Sequence, residues 1–278
     1  GYSILPDQLC EALGAGVRMI DEVHEDFHLN FKIDMYTNVK KSISLSATLL
    51  PDDPFLKNMC EIAYPKALRY EGDAYHKYIA CHAVFYRSRD QNKIRWKEPG
   101  SANYSHYAYE KYVMRYKDVL ANYLKLIEQI VIGGYMNKRL PGHRCLVLCS
   151  LVEMCTLVTD HLKKAFPHLD IRRYMENDAY EDLVEPDICV SSLQNAGTAV
   201  DIPQLLTVVL TIGITSSQGN VQGFGRLREL KGEFAAVPHF YYLVNEDVPK
   251  HISYHEKKKE LLRDKALTYN TINMPLAI

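Results

Sequence analysis

Short apolar runs that break off into polar residues recur along this chain, with helical patterns between them. Cys145-Leu146-Val147-Leu148-Cys149 has no polar side chain to turn toward water, so it reads as a strand covered on both faces. Ile188-Cys189-Val190, Leu206 to Ile212 and Phe240 to Val244 read the same way. Buried strands alternating with helices need crossover connections, which give a parallel sheet with helices on both faces. The expected class is therefore α/β. Two earlier runs fit the scheme as buried parallel strands. Val17-Arg18-Met19-Ile20 leads into Asp21-Glu22, and Ser42-Ile43-Ser44-Leu45 leads into Ser46-Ala47-Thr48. Ligands of such sheets sit outside the carboxyl ends of the strands, so those polar residues are where chemistry is expected.

The chain divides into four stretches: 1–74 and 143–247 with α/β alternation, 75–142 as a helical, tyrosine-rich connector, and 248–278 as a basic helix with a weakly structured end. Of the 20 tyrosines, Tyr104, Tyr107, Tyr109, Tyr112, Tyr116, Tyr123 and Tyr135 lie between 104 and 135, interleaved with Lys111, Arg115, Lys117 and Lys125. Tyrosine beside basic residues suits stacking on single-stranded nucleic acid, but it also fills half-buried helix faces. The second reading is favoured, because Leu120, Leu124, Ile127 and Val131 recur at helical spacing. Ser150 with Glu153 has the spacing of a capping box that starts a helix through about Phe166.

A formal net charge of -1 excludes a wholly basic nucleic-acid binder and leaves a locally basic one open. No run approaches the roughly 18 apolar residues of a spanning helix, and Gly1-Tyr2-Ser3-Ile4 lacks the pattern of a secretory signal. Seven cysteines, an odd number set in apolar stretches, point to a reducing compartment, so a cytoplasmic location is expected.

Four constellations carry the chemistry. In Asp21-Glu22-Val23-His24, a carboxylate at a strand end suits a hydrated Mg²⁺, and the next one suits activation of a water attacking a phosphoryl group. Ser46-Ala47-Thr48 places hydroxyls at the following strand end. Gly197-Thr198-Ala199-Val200-Asp201-Ile202-Pro203 offers a flexible backbone, a hydroxyl for phosphate and a carboxylate for a ribose. In Gln222-Gly223-Phe224-Gly225-Arg226-Leu227-Arg228, two guanidinium groups follow a glycine-permitted turn. Their planar, permanent charge suits a transferring phosphate.

In this order the segments resemble a superfamily-two helicase of the DExH type, a protein of two RecA-like lobes. Asp21 to His24 is similar to its motif II, Ser46 to Thr48 to motif III, and Arg144 to Ser150 to motif IV. Gly197 to Pro203 is similar to motif V, and Gln222 to Arg228 to motif VI. The tract from Glu22 through Leu49, with the tyrosine-rich connector, most resembles helicases of large bacteriophages and other large DNA viruses. A host-cell cytoplasm is then the expected location.

The resemblance implies ATP and Mg²⁺ as cofactors and nucleic acid as partner, with DNA favoured and replication or recombination proteins as further partners. It assigns Asp21 to Mg²⁺ through water and Glu22 to the hydrolytic water. His24, Ser46 and Thr48 couple nucleotide state to nucleic acid, and Thr198 contacts the nucleic-acid backbone. Asp201 goes to the ribose, with Gly197 and Gly225 beside the nucleotide, and Gln222 and Arg226 to the γ-phosphate.

Two departures matter. The second motif-VI arginine usually stands three residues after the first; here that position is Glu229, and Arg228 precedes it. The phosphate-cradling pattern G-x-x-x-x-G-K-[ST] occurs nowhere in the chain. The chain therefore reads as the carboxyl-terminal part of a longer helicase with its first lobe incomplete, inactive alone toward ATP. The alternative is a helicase-derived nucleic-acid-binding or interaction module without catalysis. His251 and His255, one helical turn apart, lack an evident third metal ligand, and the six acids between Glu176 and Asp187 read as a solvated loop or an electrostatic guard.

Overall fold

The computed structural model describes the chain except residues 1–3, 24, 25, 38, 47, 48, 52, 71–75, 91–94, 98, 99, 101, 102, 194, 196–200, 215–219, 221 and 222. It separates into two compact units, Gly1–Asp73 and Ala74–Ile278.

In the first unit, β1 (Val17–Ile20) and β2 (Lys41–Ser44) pair in parallel, with Ile20 opposite Ser44. Helices α1 (Leu9–Ala12), α2 (Phe27–Tyr36) and α3 (Pro54–Ala63) accompany them. Asp53 caps α3 by accepting from the Leu56 amide at 2.8 Å, and Pro54 follows at the first helical position, where a missing N–H costs nothing. Arg18 on β1 pairs with Asp34 and donates to Asn30 Oδ1 at 3.0 Å, which ties the strand to α2. The two strands are parallel, but they are not buried as expected. Val17 is 53% and Met19 65% exposed, because among the described residues of this unit a two-stranded sheet has little to cover its faces.

The second unit is built on a seven-stranded, wholly parallel sheet. Its strands are β3 (Ala80–Arg87), β4 (Arg144–Cys149), β5 (Ile171–Tyr174), β6 (Ile188–Ser192), β7 (Leu205–Leu210), β8 (His239–Asn245) and β9 (Thr268–Ala277), in spatial order β5-β6-β4-β7-β8-β3-β9. One core lies on each face. On one side Val147, Val209 and Leu243 meet α4 (His106–Arg115), α5 (Lys117–Val131) and α6 (Val152–Ala165). On the other, Leu146, Val208 and Phe240 meet Leu183 of α7 (Glu181–Val184), Phe224, Leu227 and Leu262 of α8 (Pro249–Arg263). Strands flanked on both sides explain why β4 is apolar from Cys145 to Cys149 and why the polar residues inside β6 and β7 are bonded internally, Ser191 donating to Tyr174 O at 2.8 Å and Thr207 to Gly134 O at 2.8 Å.

Four local expectations give way here, wholly or in part. The stretch 75–142 opens with β3, a strand inside the sheet. Its helices are core elements: Tyr123, Leu126, Ile127, Ile130 and Val131 of α5 are all buried, each large side chain contributing about 1.5–3 kcal/mol. The end of the chain forms β9, an edge strand whose pairing with β3 supplies the backbone partners that local sequence does not. The capping box at Ser150 does not form: Leu151 is the N-cap residue of α6 and makes no side-chain cap. Of the acids between 176 and 187, Asp182 pairs with Arg172 at 3.0 Å and Asp187 with Arg139 at 3.0 Å, so part of that run is spent on ion pairs.

Candidate functional site

In the first unit the acidic and hydroxyl-bearing segments meet at the carboxyl ends of adjacent strands. Past the last β1–β2 pair, Leu45 N–H donates to Ile20 O at 2.8 Å and Val23 N–H donates to Leu45 O at 3.1 Å, so the ladder continues into both loops. Val23 is fully buried and pins the loop, leaving Asp21 and Glu22 exposed beside it and Ser46 half-buried after β2. Glu22 has φ 49°, a left-handed conformation rare outside glycine, and its amide is held by Asp21 Oδ1 at 2.9 Å. His24 and Thr48 lie outside the described residues.

In the second unit Asp201 and Arg228 come together, with Arg228 Nε 3.7 Å from Asp201 Oδ1. Both side chains are well exposed, so the pair contributes about 1 kcal/mol at most. Arg228 also donates to Gly225 O. Arg226 is half-buried beside them; burial and the Arg228 charge push its pKa down, and Asp201 pushes it back up. The segment is anchored by Phe224, fully buried and edge-on to Phe240 at 5.6 Å, and by Leu227, whose carbonyl accepts from Tyr78 Oη at 3.1 Å. Gly225 lies in a helical turn with nothing near a would-be Cβ, so no left-handed turn requires glycine there. Glu229, at the expected arginine position, is held below the usual carboxylate range, chiefly by Lys231 at 3.0 Å and also by His76. Gly197, Thr198 and Gln222 lie outside the described residues.

A buried polar network with no signal in the sequence lies at the carboxyl edge of the large sheet. Glu110 of α4, fully buried, accepts from the Ser150 and Leu151 amides at 2.8 and 2.7 Å. It takes over the role expected of a local cap, at the end of α6 where the helix dipole favours negative charge. His106 Nδ1 accepts from the Gly213 amide at 3.1 Å, which leaves the proton on Nε2, 3.4 Å from Glu110. His251 Nδ1 accepts from the Asn245 amide at 3.1 Å, so its Nε2 proton faces Tyr104 Oη at 2.5 Å, and that hydroxyl donates on to His106 Nδ1 at 2.6 Å. Burial and the nearby His106 hold the His251 pKa well below its usual value, consistent with a neutral ring. Asn245 donates to Ser88 Oγ and to Tyr109 Oη, each at 2.8 Å. The loops after β3, β4, β7 and β8 are thus tied together from inside. His255 bonds Tyr242 Oη through Nδ1 at 2.8 Å, so the two histidines of α8 serve separate partners. Among the described residues no three His, Cys, Asp or Glu side chains gather as a metal site. No described helix is long and apolar enough to cross a membrane.

No protein-family model and no curated protein sequence matches the chain. Solved structures do. Over 96% of its length the chain is similar to S. cerevisiae Dbp5 L327V bound to RNA and ADP BeF3, with TM-score 0.57 and 10% identity, covering 63% of that chain. It is similar to T4 UvsW over 93% of its length, with TM-score 0.51 and 15% identity, covering 54% of that protein. It is similar to the Mycobacterium smegmatis helicase Lhr bound to ssDNA and AMP-PNP over 96%, with TM-score 0.56 and 13% identity, covering 33%. The chain thus spans less than two thirds of each of these proteins. At such identities the likeness is one of fold: an α/β architecture matching RecA-like helicase lobes.

Proposed function

We propose that this chain is a portion of an ATP-dependent nucleic-acid helicase or translocase of the DExH type, of the phage-like kind and acting on DNA. The observation that carries the reading is the gathering of Asp201, Arg226 and Arg228 in the second unit. An exposed carboxylate beside two guanidinium groups suits recognition of a ribose and a polyphosphate. The pairing of the Asp21–Glu22 loop with the Ser46 loop, on a fold shared with helicase structures, supports it further.

In this reading Asp21 holds Mg²⁺ through water, a role that suits an exposed, oxygen-only donor at a strand end. The ion supplies charge neutralisation at the phosphates. Glu22 accepts a proton from the attacking water, while Gln222 and Arg226 stabilise the γ-phosphate and Asp201 binds the ribose. Gly197 and Gly225 keep the backbone close to the nucleotide. Thr198 contacts the nucleic-acid backbone, and His24, Ser46 and Thr48 relay nucleotide state.

The test is ATP hydrolysis, with and without single-stranded DNA, by this chain and by a form extended upstream through any phosphate-binding loop. DNA-stimulated turnover in the extended form alone, abolished by Glu22→Gln, is the expected result. Silence in the extended form overturns the motor reading in favour of a non-catalytic binding module. Turnover by this chain alone refutes the need for a further phosphate-cradling loop.

A further inference from the structure

Helix α4 has two different faces. His106, Tyr109, Glu110, Tyr112 and Val113 are buried, and through His106 and Glu110 this face grips the loops after β7 and β4. The opposite face exposes Tyr107, Lys111 and Arg115 at successive spacings of four residues, one stripe about 12 Å long. The Lys111 ammonium lies over the Tyr107 ring at 4.3 Å, and the Arg115 guanidinium lies 5.8 Å from the ring of exposed Tyr116.

We infer that this outer face of α4 is a contact surface for single-stranded polynucleotide, with Tyr107 as a stacking platform and Lys111 and Arg115 as phosphate contacts. The inference rests on the nucleic-acid reading above and adds a site that none of the helicase-like segments contains. Charge complementarity selects the partner. From 103 to 125 the exposed charged residues are Lys111, Arg115, Lys117 and Lys125 against Asp118 alone, while Glu110 is turned inward and its carboxylate is occupied by two amides. The stripe presents no aliphatic side chain, so it does not suit an apolar helix. It pairs an aromatic face with cations, the combination that binds single strands through base stacking and counterion release. Its position is set by the buried network, which roots the first turn of α4 at the carboxyl edge, the side of a parallel sheet where ligands bind.

The test is binding of fluorescein-labelled oligothymidylate and oligouridylate to the 278-residue chain, by anisotropy across a salt series. Lys111→Gln with Arg115→Gln is expected to weaken binding about tenfold and to lower the log–log salt slope by about 1.4, at roughly 0.7 per phosphate contact on a single strand. Tyr107→Ala is expected to cost at least about fivefold, and Tyr107→Phe to restore binding, because stacking needs the ring and not the hydroxyl. Lys163→Gln with Lys164→Gln, exposed on α6, is the control and should change neither affinity nor slope. Wild-type affinity and slope in the α4 variants, or an equal loss in the control, overturns the site and leaves the helicase reading standing. Absence of binding by the unaltered chain to both oligonucleotides at low salt overturns the site together with the nucleic-acid reading of this chain.

Discussion

Glu110→Gln replaces the buried carboxylate that accepts both amides at the start of α6. The carboxylate is fully buried, accepts the Ser150 and Leu151 amides at 2.8 and 2.7 Å, and faces His106 at 3.4 Å. A hydrogen bond to a charged group contributes about 1.5–3 kcal/mol, and a buried amide left without its acceptor loses about 1–3 kcal/mol. Glutamine keeps one acceptor of nearly the same shape and turns an NH₂ group toward the other amide, so about 2–3 kcal/mol of stability should be lost. Glu110→Ala, which orphans both amides and opens a cavity, should cost about 4 kcal/mol or more. The single tryptophan, Trp96, packs against the core of this unit, so its fluorescence in urea follows the unit's unfolding. Hydrogen exchange at Ser150 and Leu151 reads the local bond directly. A Gln variant within about 0.5 kcal/mol of the parent, with both amides still protected, would refute the assignment of Glu110 as the acceptor that organises the start of α6.

Two further outcomes follow from buried groups. His82 and His239, 3.0 Å apart, are each held down to about 4, first by burial and then by the Lys138 charge. The unfolded chain therefore binds more protons between about pH 6.5 and 4. The associated stability is present above pH 6.5 and is lost as pH falls toward 4, at up to roughly 1.4 kcal/mol per pH unit for each ring. Acid titration of the Trp96 signal should show this limb, and His82→Gln should flatten it. Gly134→Ala should destabilise by about 1–3 kcal/mol, since its Cβ would stand 2.6 Å from the Tyr241 ring, whereas Gly133→Ala meets open space and should be neutral or stabilising. Thermal melting of the pair decides the matter, and equal melting temperatures would count against the close packing.

The apolar runs made β4, β6, β7 and β8 legible because strands covered on both faces are mostly apolar, and the few polar side chains they bury, Ser191, Thr207 and Asn245 among them, are bonded internally. β3, β5 and β9 were not legible; β3 lies inside the sheet, within the stretch read as a helical connector. Thr268–Ala277 and Ile171–Tyr174 carry mixed polarity, half-exposed at the sheet margins, and their strand character comes from hydrogen bonds to β3 and β6. The candidate chemistry divides the same way. Asp21 and Glu22 announced themselves by ending an apolar run, and Arg226 and Arg228 by their order behind Asp201. His106, Glu110 and His251 had no such signal, since each meets its partners across long chain separations.

The sequence by itself determined the α/β class and which strand ends carry acids and hydroxyls, and it set the two arginines together behind Asp201, because periodicity and residue type are local properties of the chain. Tertiary structure alone decided that the tyrosine-rich stretch belongs to the core of the second unit. It also decided that Glu110 stands in for a missing helix cap and that Tyr107, Lys111 and Arg115 face outward. An amphipathic helix shows its two faces in sequence, but which face turns inward depends on what the distant strands place against it.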